Sequence, residues 1–184
     1  FLYPKHLKVG IGSVKKIAII GSGGSGKSTL ARELGERLHI EVFHLDALFW
    51  KPGWVGVPKE EQRLVQNELV EKEKWIFDGN YGGTMDIRLN NAETIIFLDI
   101  PRIICAFRVI KRRFQFRNKT RPDMGEGCEE RISFEFLKWV WQYPKIKNPL
   151  IMKKLESFLR EKEVIILTSP REVERFLKKI KGPV

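Results

Sequence analysis

The stretch Lys16-Ile17-Ala18-Ile19-Ile20-Gly21-Ser22-Gly23-Gly24-Ser25-Gly26-Lys27-Ser28-Thr29 decides the fold. Ile17 to Ile20 run without a polar break into a glycine loop, as a strand buried on both faces does. Beyond the loop, Leu30, Leu34 and Leu38 recur every fourth residue and predict a helix over 27–38. Gly21 to Ser28 fits G-x-x-x-x-G-K-[ST] in the strand–loop–helix setting that gives the pattern its meaning. Glycines let main-chain N–H groups converge on phosphate oxygens, and the helix start adds a partial positive charge.

Gly21, Ser22, Gly23, Gly24, Ser25, Gly26, Lys27, Ser28 and Thr29 are therefore the expected binding residues for a nucleoside triphosphate, ATP with Mg²⁺. Lys27 is placed to reach the β- and γ-phosphates. Ser28 is placed to ligate the metal, with Thr29 as a supporting hydroxyl. The same glycines satisfy G-x-G-x-x-G, and Asp46 lies twenty residues beyond Gly26, near where a dinucleotide fold carries its ribose acid. That pattern does not call for Lys27-Ser28, so the triphosphate reading is preferred.

Outward from the loop, apolar runs and helical periods alternate. Strands are expected at Val42 to Leu45, Trp75 to Phe77, Thr94 to Leu98 and Val164 to Leu167. Helices are expected over 60–74, then on the stripe Ile103, Phe107, Ile110, Phe114 and on the stripe Ile132, Phe136, Trp139, Val140, Tyr143, ended by Pro144. Asn148-Pro149 opens another, carrying Ile151, Leu155, Phe158 and Leu159, and Ser169-Pro170-Arg171-Glu172 is a capping box for the last. Phe49 to Pro58 reads as an ordered loop. Five strands separated by helices imply one α/β domain, a three-layer αβα arrangement around a five-stranded parallel sheet. That domain covers 16–184, with an insert at about 47–74 and a basic segment at about 112–131; residues 1–15 stand apart as an extension or expression remnant.

The 184 residues are enough for one well-buried core. Lys and Arg number 34 against 23 Asp and Glu, a net charge of +11 that favours anionic partners without choosing among them. Two cysteines, Cys105 and Cys128, cannot build a disulfide framework, and a reducing, cytoplasmic setting is the simplest expectation. No apolar run has the length of a membrane span.

Three acids close strands, where open α/β sheets bind ligands. Asp78 is expected to organise Mg²⁺, partly through water; Asp46 is expected to orient an acceptor hydroxyl or metal-bound water; Asp99 shares the pattern but Pro101 turns the chain away. Between Arg108 and Arg121 there are seven Lys or Arg and no acid, so the opposite charges of an ordinary solvated helix are missing. A mobile lid whose arginines neutralise a transferring phosphoryl group fits this segment, and single-stranded nucleic-acid binding competes. Trp50, Trp54 and Trp141 fall off the helical stripes and are candidates to stack on a base or to line an acceptor pocket.

The order of glycine loop, acid after the second strand, Asp78-Gly79 after the third and arginines after the fourth resembles the adenylate-kinase-like group of P-loop kinases. That resemblance implies a strand order 2-3-1-4-5, an acceptor-binding insert and a lid. It puts Arg88 in the place of an arginine that holds an acceptor phosphate, and Arg112, Arg113, Arg117 and Arg121 in the lid. A longer match, in His44-Leu45-Asp46, Leu48-Phe49-Trp50, Pro52-Gly53-Trp54, Asp78-Gly79-Asn80-Tyr81 and Lys119-Thr120-Arg121-Pro122-Asp123-Met124, continued in Glu126-Gly127-Cys128 and around Trp139, resembles the bacterial DNA topology modulation proteins of the FlaR type. Asn80-Tyr81 stands where adenylate kinases carry Phe-Pro-Arg, so the acceptor is as readily a hydroxylated metabolite as a nucleotide.

The expected activity is thus Mg-ATP-dependent transfer of a γ-phosphate to a small acceptor. Lys27, Asp46, Asp78, Arg112, Arg117 and Arg121 form the catalytic set, and Asp46, Trp50, Asp78 and Arg88 the acceptor set. An ATP-regulated nucleic-acid-binding protein is the alternative, and ATP hydrolysis without an acceptor is a third possibility. The oligomeric state is left open.

Overall fold

The computed structural model describes residues 14–117 and 119–180. The expected extension falls largely in 1–13, outside the described residues. Strand β1 (Lys16–Gly21) is central and buried from Ile17 onward. It pairs in parallel with β5 (Trp75–Asp78) on one side and with β6 (Thr94–Leu98) on the other. Outside these lie β2 (Val42–His44), against β5, and β7 (Glu163–Leu167), against β6, again in parallel.

The sheet order is β2-β5-β1-β6-β7. Its labels differ from the expected 2-3-1-4-5 because a separate antiparallel hairpin, β3 (Trp50–Lys51) and β4 (Val55–Gly56), takes two numbers. Counted among themselves along the chain, the five sheet strands run second, third, first, fourth, fifth.

Side-chain alternation along β1 builds two cores, one per sheet face. Ile17 and Ile19 point into a core with Leu30, Leu34, Cys105, Val109 and Phe176. These come from α1 (Lys27–Leu38), α5 (Arg102–Gln115) and α8 (Pro170–Lys179). Ala18 and Ile20 point the other way, to Phe77, Leu89, Phe97, Tyr143, Ile151 and Leu155. The helices on that face are α3 (Lys59–Val70), α4 (Met85–Asn91) and α7 (Asn148–Glu156), while α6 (Phe134–Ile146) joins both cores, Val140 in the first and Tyr143 in the second. The Ser169 hydroxyl caps α8 by accepting the Glu172 N–H at 3.3 Å, as its capping box predicts.

Four expectations are corrected. Leu45 does not extend β2 but opens a short helix, α2 (Leu45–Phe49), and the expected loop after it carries the β3–β4 hairpin. Helix α3 ends at Val70, short of Lys74. Pro144 lies inside α6, which continues to Ile146. Helix α5 does form, but Ile103, Phe107, Ile110 and Phe114 face solvent, while Cys105 and Val109 on the opposite side are buried. The physical reason is closeness: a Cβ on Gly24 would overlap the Cys105 carbonyl oxygen, so α5 approaches the glycine loop through its smaller residues.

Candidate functional site

The glycine loop forms the floor of a cavity of about 950 Å³ at the C-terminal end of the sheet. Gly23, Gly24, Gly26, Lys27, Ser28 and Thr29 line it. Gly24 and Gly26 hold positive φ, 75° and 96°, which turns the chain sharply into α1. The Lys27 ammonium donates to the Ser22 carbonyl oxygen at 2.9 Å across the loop. Asn80, just past β5, fastens the start of the loop: its Oδ1 accepts the Gly21 N–H at 3.0 Å and its Nδ2 donates to the Gly21 carbonyl. The Tyr143 hydroxyl, from α6, reaches the same Asn80 Oδ1 at 3.3 Å.

Asp46, on α2, lines the cavity beside this cradle and accepts a 2.9 Å hydrogen bond from the Tyr81 hydroxyl. Burial pushes its carboxyl above the usual carboxylate range; Lys27 pulls it down, and neighbouring Asp78 pushes it up. Burial and the same carboxylate push the Tyr81 phenol upward, so Tyr81 stays a donor. Asp123, in the basic segment, also lines the cavity, against the Ser28 hydroxyl. Its burial penalty is outweighed by Arg121 and by that hydroxyl, which together hold the carboxyl below its ordinary value.

The basic segment closes over the cavity and docks on the hairpin. The Trp54 indole donates to the Glu129 carbonyl at 3.0 Å, and the Arg131 guanidinium lies 4.7 Å above the Trp54 ring. The Gly53 N–H donates to the Gly127 carbonyl at 3.1 Å, and Cys128 packs its thiol against the Lys51 carbonyl at 3.2 Å. A Cβ on Gly125 would overlap the Trp50 carbonyl oxygen, so glycine is needed where the segment meets the hairpin. Inside this closure Glu130, 1% exposed, is gripped by the Nε atoms of Arg112 at 2.9 Å and Arg121 at 2.7 Å. Arg121 also reaches Asp123 at 3.0 Å. Lys27, Arg32, Arg108, Lys111, Arg112, Arg121 and Arg131 all face the cavity, against Asp46, Asp123 and Glu130. Such a chamber suits a multiply charged anion.

No protein-family model matches the chain. It is 31% identical over 133 residues to the Bacillus subtilis (strain 168) uncharacterized protein YqaC, an alignment spanning 70% of this chain and 72% of that one. The chain belongs to the YqaC family. It is also 28% identical over 154 residues to the shikimate kinase of Histophilus somni (strain 2336), with 74% and 79% of the two chains covered. Among solved structures, the shikimate kinase from Acinetobacter baumannii in complex with shikimate superposes with a TM-score of 0.59, covering 92% of each chain at 19% identity. The YqaC-family chain thus has the fold of a P-loop kinase.

Within this YqaC-family chain the site residues expected from sequence do not all converge. Lys27, Ser28, Thr29, Asp46, Trp50, Arg112 and Arg121 line the cavity. Arg88 does not: it is wholly buried, donating to the Gln66 side chain at 3.0 Å and to the carbonyls of Gly79, Thr84 and Asn80. Desolvation lowers its pKa to about 10. It supports the turn after β5 and offers nothing to an acceptor phosphate. Asp78 is buried behind the wall, with Oδ2 on His44 Nδ1 at 2.8 Å. Arg117 is exposed and outside the cavity lining, its backbone bridged to Glu130. Of the tryptophans, Trp50 and Trp54 stand in the wall, while Trp141 is outside under Arg102. Asp99 is occupied by the Asn148 side chain.

Asn80, Tyr81, Asp123, Glu130 and Arg131 were not singled out from sequence as site residues. The first is directly testable. Asn80→Ala strips two hydrogen bonds from the Gly21 peptide and leaves its groups short of partners. It is expected to cost about 1–3 kcal/mol in urea unfolding. Mg-ATP binding, read by calorimetry, should weaken about tenfold, the equivalent of about 1.4 kcal/mol. Unchanged affinity would remove Asn80 from the positioning of the loop.

Proposed function

We propose that the protein is a kinase that transfers the γ-phosphate of Mg-ATP to a hydroxyl of a small, anionic metabolite. One observation carries this reading: the Asp46 carboxylate lines the same cavity as Lys27, beside arginines brought by the lid. The fold shared with a shikimate kinase and the sequence likeness to others support the metabolite side of the choice of acceptor.

The residues present fit the magnesium nucleotide. The loop is a glycine cradle, and Ser28 with Asp123 presents two hard oxygens, which matches the one or two protein ligands Mg²⁺ takes beside phosphates. Bound there, the metal would neutralise charge on the β- and γ-oxygens. In this reading Lys27, Arg108 and Arg121 surround the phosphoryl group, and Asp46 takes the proton of the acceptor hydroxyl as its oxygen bonds to phosphorus and the bond to the β-phosphate breaks, releasing ADP. Tyr81 holds Asp46 in orientation. Asp78 acts at one remove, orienting His44 and raising the basicity of Asp46. Trp50, Trp54 and Arg131 bound the acceptor, the last as the anchor for its negative group.

The motifs that resemble FlaR-type proteins, His44 to Trp54 and Lys119 to Met124, are the ones that wall this cavity. That supports small-molecule phosphoryl transfer as the family's shared chemistry. The nucleic-acid alternative loses its main support, because Arg108, Lys111, Arg112 and Arg121 turn inward rather than forming an outward stripe.

Two measurements test the reading. A Mg-ATP turnover screen should single out a hydroxylated carboxylate or phosphate over nucleoside monophosphates; turnover confined to nucleotides would overturn the acceptor class. The pH profile tests Asp46. Its folded pKa is raised, so activity present at neutral pH should fall as pH drops through a value above the ordinary carboxylate pKa of about 4. Asp46→Asn should lower kcat about 10²–10⁴-fold and abolish that acid limb. It should not lower Tm at neutral pH, because a carboxyl raised by burial is most costly to the fold when ionised. An acid limb that survives in Asp46→Asn would refute the assignment.

A further inference from the structure

The two helices that stem the lid carry a surface the cavity does not use. Ile103, Phe107, Ile110 and Phe114 on α5, with Phe134 and Trp141 on α6, are between 43% and 77% exposed. Steps of four, three and four residues keep the α5 set within about 60° of one helix face. Phe134 and Trp141, seven apart, share a face of α6, and the Arg102 guanidinium lies 4.5 Å from the Trp141 ring, tying the two helices' outer surfaces together. Scattered exposed apolar residues need no explanation, but six large ones on adjoining helices do.

We propose that this face is the docking site for an acidic amphipathic helix of a partner protein. The four-three-four spacing is the seam geometry of helix against helix, narrower than the broad face with which a helix lies in a membrane surface. Charge selects the partner. Arg102 and Arg113 flank the α5 seam on one side, and Lys138 and Lys145 share the outer face of α6; residues 102–121 contain no acid. A second copy of this chain would set these cations against their like, which costs several kcal/mol at an interface. A helix with aliphatic seam residues and glutamates beside them satisfies both features. Because α5 and α6 lead into and out of the lid, an occupant would brace both stems at once. The inference rests on the exposed helices and stands whether or not the kinase reading does.

The probe is a synthetic fluorescein-labelled helix of about three heptads with Leu at the seam positions and Glu beside them. Fluorescence anisotropy should show saturable binding that weakens with salt. Affinity should fall at least about tenfold for Phe107→Ser/Phe114→Ser and, separately, for Lys138→Glu/Lys145→Glu. Circular dichroism and Mg-ATP binding should be unchanged in both, since all four side chains are exposed and outside the cavity. No binding, or binding indifferent to both double variants or equal for a Lys-flanked probe, overturns the proposal. So does light scattering that shows a dimer dispersed by Phe107→Ser, which assigns the face to a second copy. Co-sedimentation with phosphatidylglycerol–phosphatidylcholine vesicles without probe binding assigns it to lipid.

Discussion

Lys27→Ala is expected to abolish phosphoryl transfer while leaving a folded protein. The Lys27 ammonium is held over the loop peptide by the Ser22 carbonyl, and it faces the cavity with no carboxylate hydrogen-bonded to it among the described residues. Its charge is therefore available to oxygens on which charge develops. Removing one such preorganised group from a dry site costs about 10²–10³ in rate, and more where it also positions the donor. The fold should survive, because α1 is anchored by Leu30, Ala31, Leu34 and Leu38 on its other face. Alanine is also the best helix former. Single-turnover transfer in the variant at more than about a tenth of the wild-type rate would defeat the assignment. Lys27→Arg should not restore activity, since a planar fork cannot occupy the place of a compact ammonium.

This prediction was legible in sequence because everything it needs is local. Strand, loop, lysine and helix lie within Lys16 to Leu38, and the pattern specifies their relation. The acids were half legible. An apolar run ending in Asp marks a strand end, but the pattern is identical for Asp46, which lines the cavity, and for Asp78, which turns to His44 behind it. Only the tertiary neighbours separate them. Arg88 was misplaced for a related reason: the short helix carrying it packs inward, and nothing local reveals that its guanidinium supplies a buried turn with donors. On α5 the helical period was read correctly, yet periodicity defines a face without saying which face meets the core. The small face of Cys105 and Val109 met the glycine loop, and the large one was left outside. For Asn80, Asp123 and Glu130 nothing local says that the first folds onto Gly21, that the second meets Ser28 or that the third joins Arg112 to Arg121.

Glu130→Ala is the second large expectation, and it concerns the basic segment. In the folded chain one buried carboxylate binds the Nε atoms of two arginines, and the Arg113 guanidinium donates to its backbone carbonyl at 2.9 Å. Arg112 already carries a burden: burial, then the like charge of Arg121, push its pKa down. Deleting the carboxylate leaves two desolvated guanidiniums facing one another, with Asp123 as the remaining close acid on Arg121. Breaking a buried ion pair at one partner costs about 3–5 kcal/mol. In a chain of this length each kcal/mol moves Tm by about 2–4 °C, so a fall of about 6–20 °C is expected. Glu130→Gln, which keeps the shape and one acceptor oxygen, should fall less. The segment should lose its docked geometry with the stability, so protease cleavage between 112 and 131 should become faster than cleavage elsewhere. A Tm within about 2 °C of wild type would mean that solvent reaches both arginines and that the segment is not held in place by Glu130. Added Mg-ATP should recover part of the loss by binding the folded form. Its phosphates offer the two arginines the negative charge that Glu130 no longer supplies, so the rescue should be larger for Glu130→Ala than for wild type.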